Sequence, residues 1–148
     1  MGTVMTIRED IVAEARSWAR TPYHHMAAVK GVGVDCGMLL VSVYTALGLV
    51  EPFDPRPYTH DWMLHRSEEW FLETMLKRAI IVESPQLGDM VLFKYGRCYS
   101  HGAIVTNTKP LTVIHAFLRY EFVIEETIST NTELMDRFAT AKIGSLVK

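Results

Sequence analysis

The stretch Gly31-Val32-Gly33-Val34-Asp35-Cys36-Gly37-Met38-Leu39-Leu40-Val41-Ser42-Val43-Tyr44 decides how the rest of the chain is read. Two glycines mark a loop, Asp35 is a residue type favoured as a helix N-cap, and Cys36 opens an apolar run. From Met38 to Leu47 only Ser42 and Thr45 are clearly polar, so a helix here is buried nearly all round. Gly48 supplies its C-terminal stop. The first N–H groups of a helix lack intrahelical partners and carry partial positive charge. A cysteine in that first turn is therefore expected to have its thiol pKa lowered and its thiolate poised as a nucleophile.

Upstream, Thr6 and Glu9 form a capping-box pattern, and Ile7, Ile11, Ala15, Trp18 and Ala19 share one helical face. Pro22 disfavours helical geometry at Thr21, which places the end of that helix near Arg20. Tyr23, His24, His25 and Met26 follow in a loop. Downstream, Glu51 to Tyr58 holds three prolines and reads as an irregular connector. Asp61 to His65 reads as a short helical turn. Ser67 caps a helix running to about Arg78, with Trp70, Phe71, Thr74 and Met75 at its spaced positions. The second half then changes period. Met90 to Phe93, Gly102 to Thr106, Leu111 to Leu118 and Tyr120 to Glu125 read as strands, and Ile143 to Val147 closes the sheet. Gly88-Asp89 turns into the first strand, and Asn107-Thr108-Lys109-Pro110 joins two others. Helices first and antiparallel strands afterwards define an α+β domain, its N-terminal helices packed on an antiparallel sheet. Its 148 residues make a single domain over 1–148, long enough to bury roughly 70% of the unfolded surface.

A net charge of −2 gives no basic footprint for nucleic acid or an anionic membrane. No apolar run approaches ~18 residues, and no charged segment followed by an apolar one opens the chain. The expectation is cytoplasmic synthesis without a signal peptide. Cys36 and Cys98 are too few for a disulfide framework, and Cys98 reads as incidental. His60, Asp61 and His65 fit no strong ligand spacing, so neither metal nor cofactor is expected. Trp62, Trp70 and Phe71 read as core residues, and Glu68-Glu69 as a solvated first turn that suits the helix dipole.

A cysteine nucleophile needs a base within hydrogen-bond reach, and the base needs an orienting group. His101 lies in Tyr99-Ser100-His101-Gly102-Ala103-Ile104-Val105, and His115 in Leu111-Thr112-Val113-Ile114-His115-Ala116-Phe117. If these strands pair, alternation puts His101, Ala103 and Val105 on one side with Val113, His115 and Phe117. Both rings are then expected to be buried where the sheet meets the cysteine helix. Cys36 would be nucleophile, His101 base and later acid, and His115 the orienter, with the Cys36 N–H holding an oxyanion. Spacing alone leaves this level with a second reading, an inert core cysteine beside satisfied core histidines.

Four segments keep the order and spacing of a known family. They are Thr21-Pro22-Tyr23 with Lys30 to Cys36, Pro57-Tyr58 with Asp61-Trp62, Leu87-Gly88-Asp89-Met90-Val91-Leu92-Phe93, and Ser100-His101-Gly102-Ala103-Ile104-Val105. Over about residues 8 to 145 the chain resembles the NlpC-type cysteine peptidases, most closely their bacteriophage tail-associated branch. The resemblance implies a papain-like α+β fold and hydrolysis of peptidoglycan stem peptides, commonly between D-glutamate and a diamino acid. It carries over Cys36 as nucleophile, His101 as base and His115 as the third polar residue, with the Tyr23 hydroxyl near the oxyanion hole. His25 matches the tail-associated branch as a substrate-cleft residue. Asp35, in the same substrate-binding region, reads more as a helix cap than as a titrating group. The implied partners are the stem peptide and phage tail proteins, and the implied final location is the virion tail.

The family usually has a small or variable residue and then glycine after the cysteine. Here Gly37 comes first and Met38 takes the glycine's place, which is expected to narrow the cleft. Two other functions stay open: a structural tail-assembly protein without turnover, and an amidase or acyltransferase using the same Cys-His pair. From the residues alone His24 and His25 read more as solvated loop histidines than as cleft residues, and Tyr23 equally as a packed aromatic.

Overall fold

The computed structural model describes residues 5–54, 74–75, 77–96 and 98–147. The connector beyond residue 54, the expected turn at 61–65 and helix residues 67–73 lie outside the described residues. So do His60, Asp61, Trp62, His65, Glu68, Glu69, Trp70 and Phe71. Thr74 and Met75 are helical, as expected for the end of that helix.

Helix α1 (Ile7–Arg16) begins on the capping box read from the sequence. The Glu9 N–H donates to Thr6 Oγ1 at 3.1 Å, and the Thr6 N–H donates to Glu9 Oε1 at 3.0 Å. The helix ends four residues before the expected Arg20. The Trp18 N–H turns back to the Ala15 carbonyl at 3.0 Å, and Arg20 adopts φ +68°. The Arg20 N–H then donates to Val123 at 2.9 Å, so pairing with a strand replaces the last helical turn. A small hairpin of β1 (Ala28–Val29) and β2 (Gly33–Val34) leads into α2 (Cys36–Ala46). Asp35 caps α2, its Oδ1 accepting from the Met38 N–H at 2.9 Å. Gly48, at φ +70°, follows the helix end.

The sheet contains β3 (Ile80–Val82), β4 (Met90–Tyr95), β5 (Cys98–Thr108), β6 (Leu111–Phe117), β7 (Phe122–Thr127) and β8 (Lys142–Ser145). Its order is β3-β8-β4-β5-β6-β7, with every pair antiparallel. The last strand in sequence thus inserts between β3 and β4 instead of extending an edge. A short helix α3 (Thr132–Phe138), capped by Asn131, precedes it.

Both faces of the sheet are covered. On one, Ile11 of α1 and Leu39, Leu40 and Tyr44 of α2 pack on Met90, Leu92, Ile104 and Ile114. On the other, Leu134 of α3 and Ile128 pack on Val91, Phe93, Ala103, Val105, Val113 and Phe117. Successive residues of β4 and β5 alternate between the two cores, as a pleated strand requires. Each fully buried aliphatic side chain contributes about 1.5–3 kcal/mol. A polar knot ties the layers at the turn into β4. Arg8 pairs with buried Asp89 at 2.8 Å, and the Tyr44 hydroxyl donates to the Gly88 carbonyl at 2.8 Å. Gly88 has φ +83°, and an added Cβ would sit 2.9 Å from Ile11 Cδ1.

Candidate active site

Cys36 is the first residue of α2 and is 9% exposed. The loop before it is held by Asp35, whose Oδ2 accepts from the Met26 N–H at 2.7 Å and lies 3.8 Å from His25 Nδ1. Asp35 is itself buried, so it fixes the loop and the half-buried His25 against the helix start. His24 beside them is exposed.

The expected fall in the Cys36 pKa is not what the structure gives. Burial and the negative charge of Asp35 push the thiol up to about 12, and backbone hydrogen bonds from Gly102, Gly37 and Cys36 itself only partly oppose this. Desolvation of the charged form outweighs the helix terminus. The first-turn methionine also departs from expectation. Met38 is 4% exposed and belongs to the core beneath α2, so it does not narrow an opening.

The cysteine meets β5 at a bulge. Leu92 and Phe93 face Gly102 and His101, but Lys94 faces Tyr99, which leaves Ser100 as an extra residue. Such insertions re-aim neighbouring groups. Cys36 Sγ lies 3.5 Å from the Ser100 carbonyl, next to His101 in the chain.

His101 and His115 are buried and share one face, as alternation requires. That face is not the expected one. The ring of His101 packs at 5.9 Å from Phe93 and 5.3 Å from Phe117, both in the core under α3, opposite α2. Periodicity correctly gives which residues share a side. It does not say which side meets α2, because both are apolar and both are covered.

The two rings are joined, His101 Nε2 to His115 Nδ1 at 2.8 Å. His115 Nε2 continues to Glu126 Oε2 at 2.6 Å, and Asn131 Nδ2 donates to the same oxygen at 3.1 Å. Burial, reinforced by the neighbouring His115, depresses the His101 pKa well below the ordinary imidazole value, so this ring rests neutral. The Glu126 carboxyl is held below its usual range: its hydrogen bonds to His115 and Asn131 outweigh a burial that acts the other way. Glu126 escaped the sequence reading, which ended this strand at Glu125. Continuing the alternation Phe122, Ile124, Glu126 would have put a carboxylate on the side of His115.

Tyr23 runs beside Val34 through an isolated bridge, which brings it next to Asp35 and Cys36. Burial first, and then the charges of Cys36 and Asp35, raise its hydroxyl pKa, so it stays a hydrogen-bond donor at neutral pH. Cys98 is buried across from Tyr95, and neither it nor Cys36 is in a disulfide. Among the described residues, no cluster of three His, Cys, Asp or Glu side chains is arranged to hold a metal ion. No helix among them is long and apolar enough to cross a membrane.

No family model matches the chain, and no curated protein matches it. Among solved structures it is similar to the NlpC/p60 domain of peptidoglycan hydrolase SagA, with a TM-score of 0.59. The two share 21% sequence identity over 93% of this chain and 97% of that one. The chain therefore has the mixed α+β, papain-like fold of an NlpC/p60 domain, helices packed on an antiparallel sheet.

Proposed function

We propose that the protein is a cysteine peptidase that hydrolyses peptidoglycan stem peptides at a D-glutamyl–diamino acid bond and is carried to the wall by a phage tail. The observation that carries the reading is the hydrogen-bonded series Glu126–His115–His101, with the Ser100 carbonyl, one residue before His101, 3.5 Å from the Sγ of a cysteine at a helix start. The fold likeness to a domain of a peptidoglycan hydrolase supports the substrate class. In this reading Cys36 gives its proton to His101 as the sulfur attacks the peptide carbonyl. The Cys36 N–H and the Tyr23 hydroxyl take the oxyanion. His101 then protonates the leaving amine, and water, deprotonated by the same ring, cleaves the thioester. His25, held against Asp35, lines the substrate side of the loop. Synthesis in the cytoplasm and residence on a virion tail complete the proposal.

Mass spectrometry of digested peptidoglycan tests it. The expected products carry a new amino terminus on the diamino acid and are missing with Cys36→Ala. Identical muropeptide profiles for wild type and variant across several wall chemotypes would defeat the reading. One observation favours a second reading, a structural tail-assembly component without turnover: the thiol is nearly sealed and its pKa is raised. A raised thiol pKa makes alkylation slow under either reading, so muropeptides left unchanged by the folded wild type would select it. Products with an acyl group moved onto an added amine would indicate a transferase.

A further inference from the structure

We propose that Glu126 is a positioning residue that determines which nitrogen of His101 carries the proton. The inference uses the reading of His101 as the base, but its chemistry is set by geometry. An ionised carboxylate accepts hydrogen bonds and donates none. Glu126 Oε2 lies 2.6 Å from His115 Nε2 and also receives the Asn131 amide at 3.1 Å, so His115 Nε2 must carry a hydrogen. A neutral His115 then has its lone pair on Nδ1. That nitrogen lies 2.8 Å from His101 Nε2, which must be the donor across this contact. Neutral His101 is left with a lone pair on Nδ1, the form able to take a proton from a thiol. A carboxylate two strands from β5 thereby selects the tautomer of the base.

Among the described residues, the surroundings leave little else to make that choice. His101 is walled by Phe93, Phe117 and Tyr95, and the Tyr95 ring is covered by the Arg137 guanidinium of α3 at 4.1 Å. Among the described residues, Glu133 and Arg137 of α3, Cys36 and Arg119 are the ionisable groups that act on Tyr95, and Glu126 and Tyr95 are ionisable groups in contact with the two rings. Removing the carboxylate also frees the Asn131 amide. With no carboxylate to accept it, a hydrogen on His115 Nε2 is no longer required, and the amide turned toward that nitrogen would move the His115 hydrogen to Nδ1 and the His101 hydrogen to Nδ1 in turn. The base would then present a hydrogen instead of a lone pair.

Long-range 15N–1H correlation spectra of the imidazole rings in the full chain read this directly. In wild type both histidines are expected as the Nε2–H tautomer, and Nδ1–H on either ring, or a doubly protonated His115 at neutral pH, overturns the proposal. With Glu126→Leu the His101 hydrogen is expected on Nδ1, and Cys36 alkylation by iodoacetamide slows about tenfold or more. Glu126→Gln keeps a carbonyl acceptor and is expected to retain the wild-type tautomers. A Glu126→Leu protein that folds and keeps the wild-type tautomers also overturns it. None of these readouts needs peptidoglycan, so a protein with the expected spectra and no wall hydrolysis would sink the peptidase reading alone.

Discussion

At the scale of single residues, Cys36 is governed by a contest that desolvation wins. The helix start and three backbone hydrogen bonds favour the thiolate, yet burial and Asp35 raise the thiol to about 12. Because the folded pKa lies above the ordinary one, only a small thiolate fraction exists near neutral pH. The alkylation rate of the free protein is therefore expected to climb steadily from pH 7 to 10, without the plateau near pH 7 that an established thiolate would give. His101 shifts the opposite way. Its pKa is depressed, so its contribution to stability is present above about pH 6.5 and is lost as pH falls, when the unfolded chain binds the proton first. Urea unfolding between pH 7.5 and 5.5 is expected to show stability falling by up to about 1.4 kcal/mol per pH unit from this ring, and less in His101→Asn. Cys36, His101 and His115 were legible as candidates, because residue type and position at a helix start or along alternating strands mark them. The direction of the thiol shift was not, since it depends on how deeply α2 sinks into a core that only the assembled fold defines.

Among the elements, the ones whose signals are local were readable. The Thr6–Glu9 box and the Asp35 cap each lie within four residues of what they bond. Helix α3 was missed because seven residues with one buried apolar side chain give no helical period. The bulge at Ser100 was missed because it exists only in the pairing of β5 with β4. Asp35 joins the two levels, serving the α2 cap with one oxygen and the Met26 N–H with the other. Asp35→Ala removes a cap and strands a partly buried donor, a combined loss of about 2–4 kcal/mol. Asp35→Asn keeps the acceptor for Met38 but turns an amide toward the Met26 N–H, so it is expected to fall between the two. Chemical denaturation measures both, and an alanine variant within about 0.5 kcal/mol of wild type would show that the loop holds itself.

For the whole molecule, the sheet is a partition between two cores, and the candidate site lies at its seam. Cys36 arrives from the α2 side, while the histidines are pressed under α3 on the other. The α+β class was legible from the change of period along the chain. The sidedness was not, because a sheet covered on both faces offers alternation no polar face to orient by. Leu134 is fully buried where α3 closes over Val91 and Phe93. Leu134→Ala is expected to cost about 2–4 kcal/mol and to lower the melting temperature in one cooperative transition. The most direct test of the central claim is the rate of new amino groups released from purified peptidoglycan by wild type, Cys36→Ala and His101→Ala proteins shown to be folded. Wild type is expected to release them and each variant to lose at least about 10³-fold. Equal release by wild type and Cys36→Ala would contradict a catalytic sulfur.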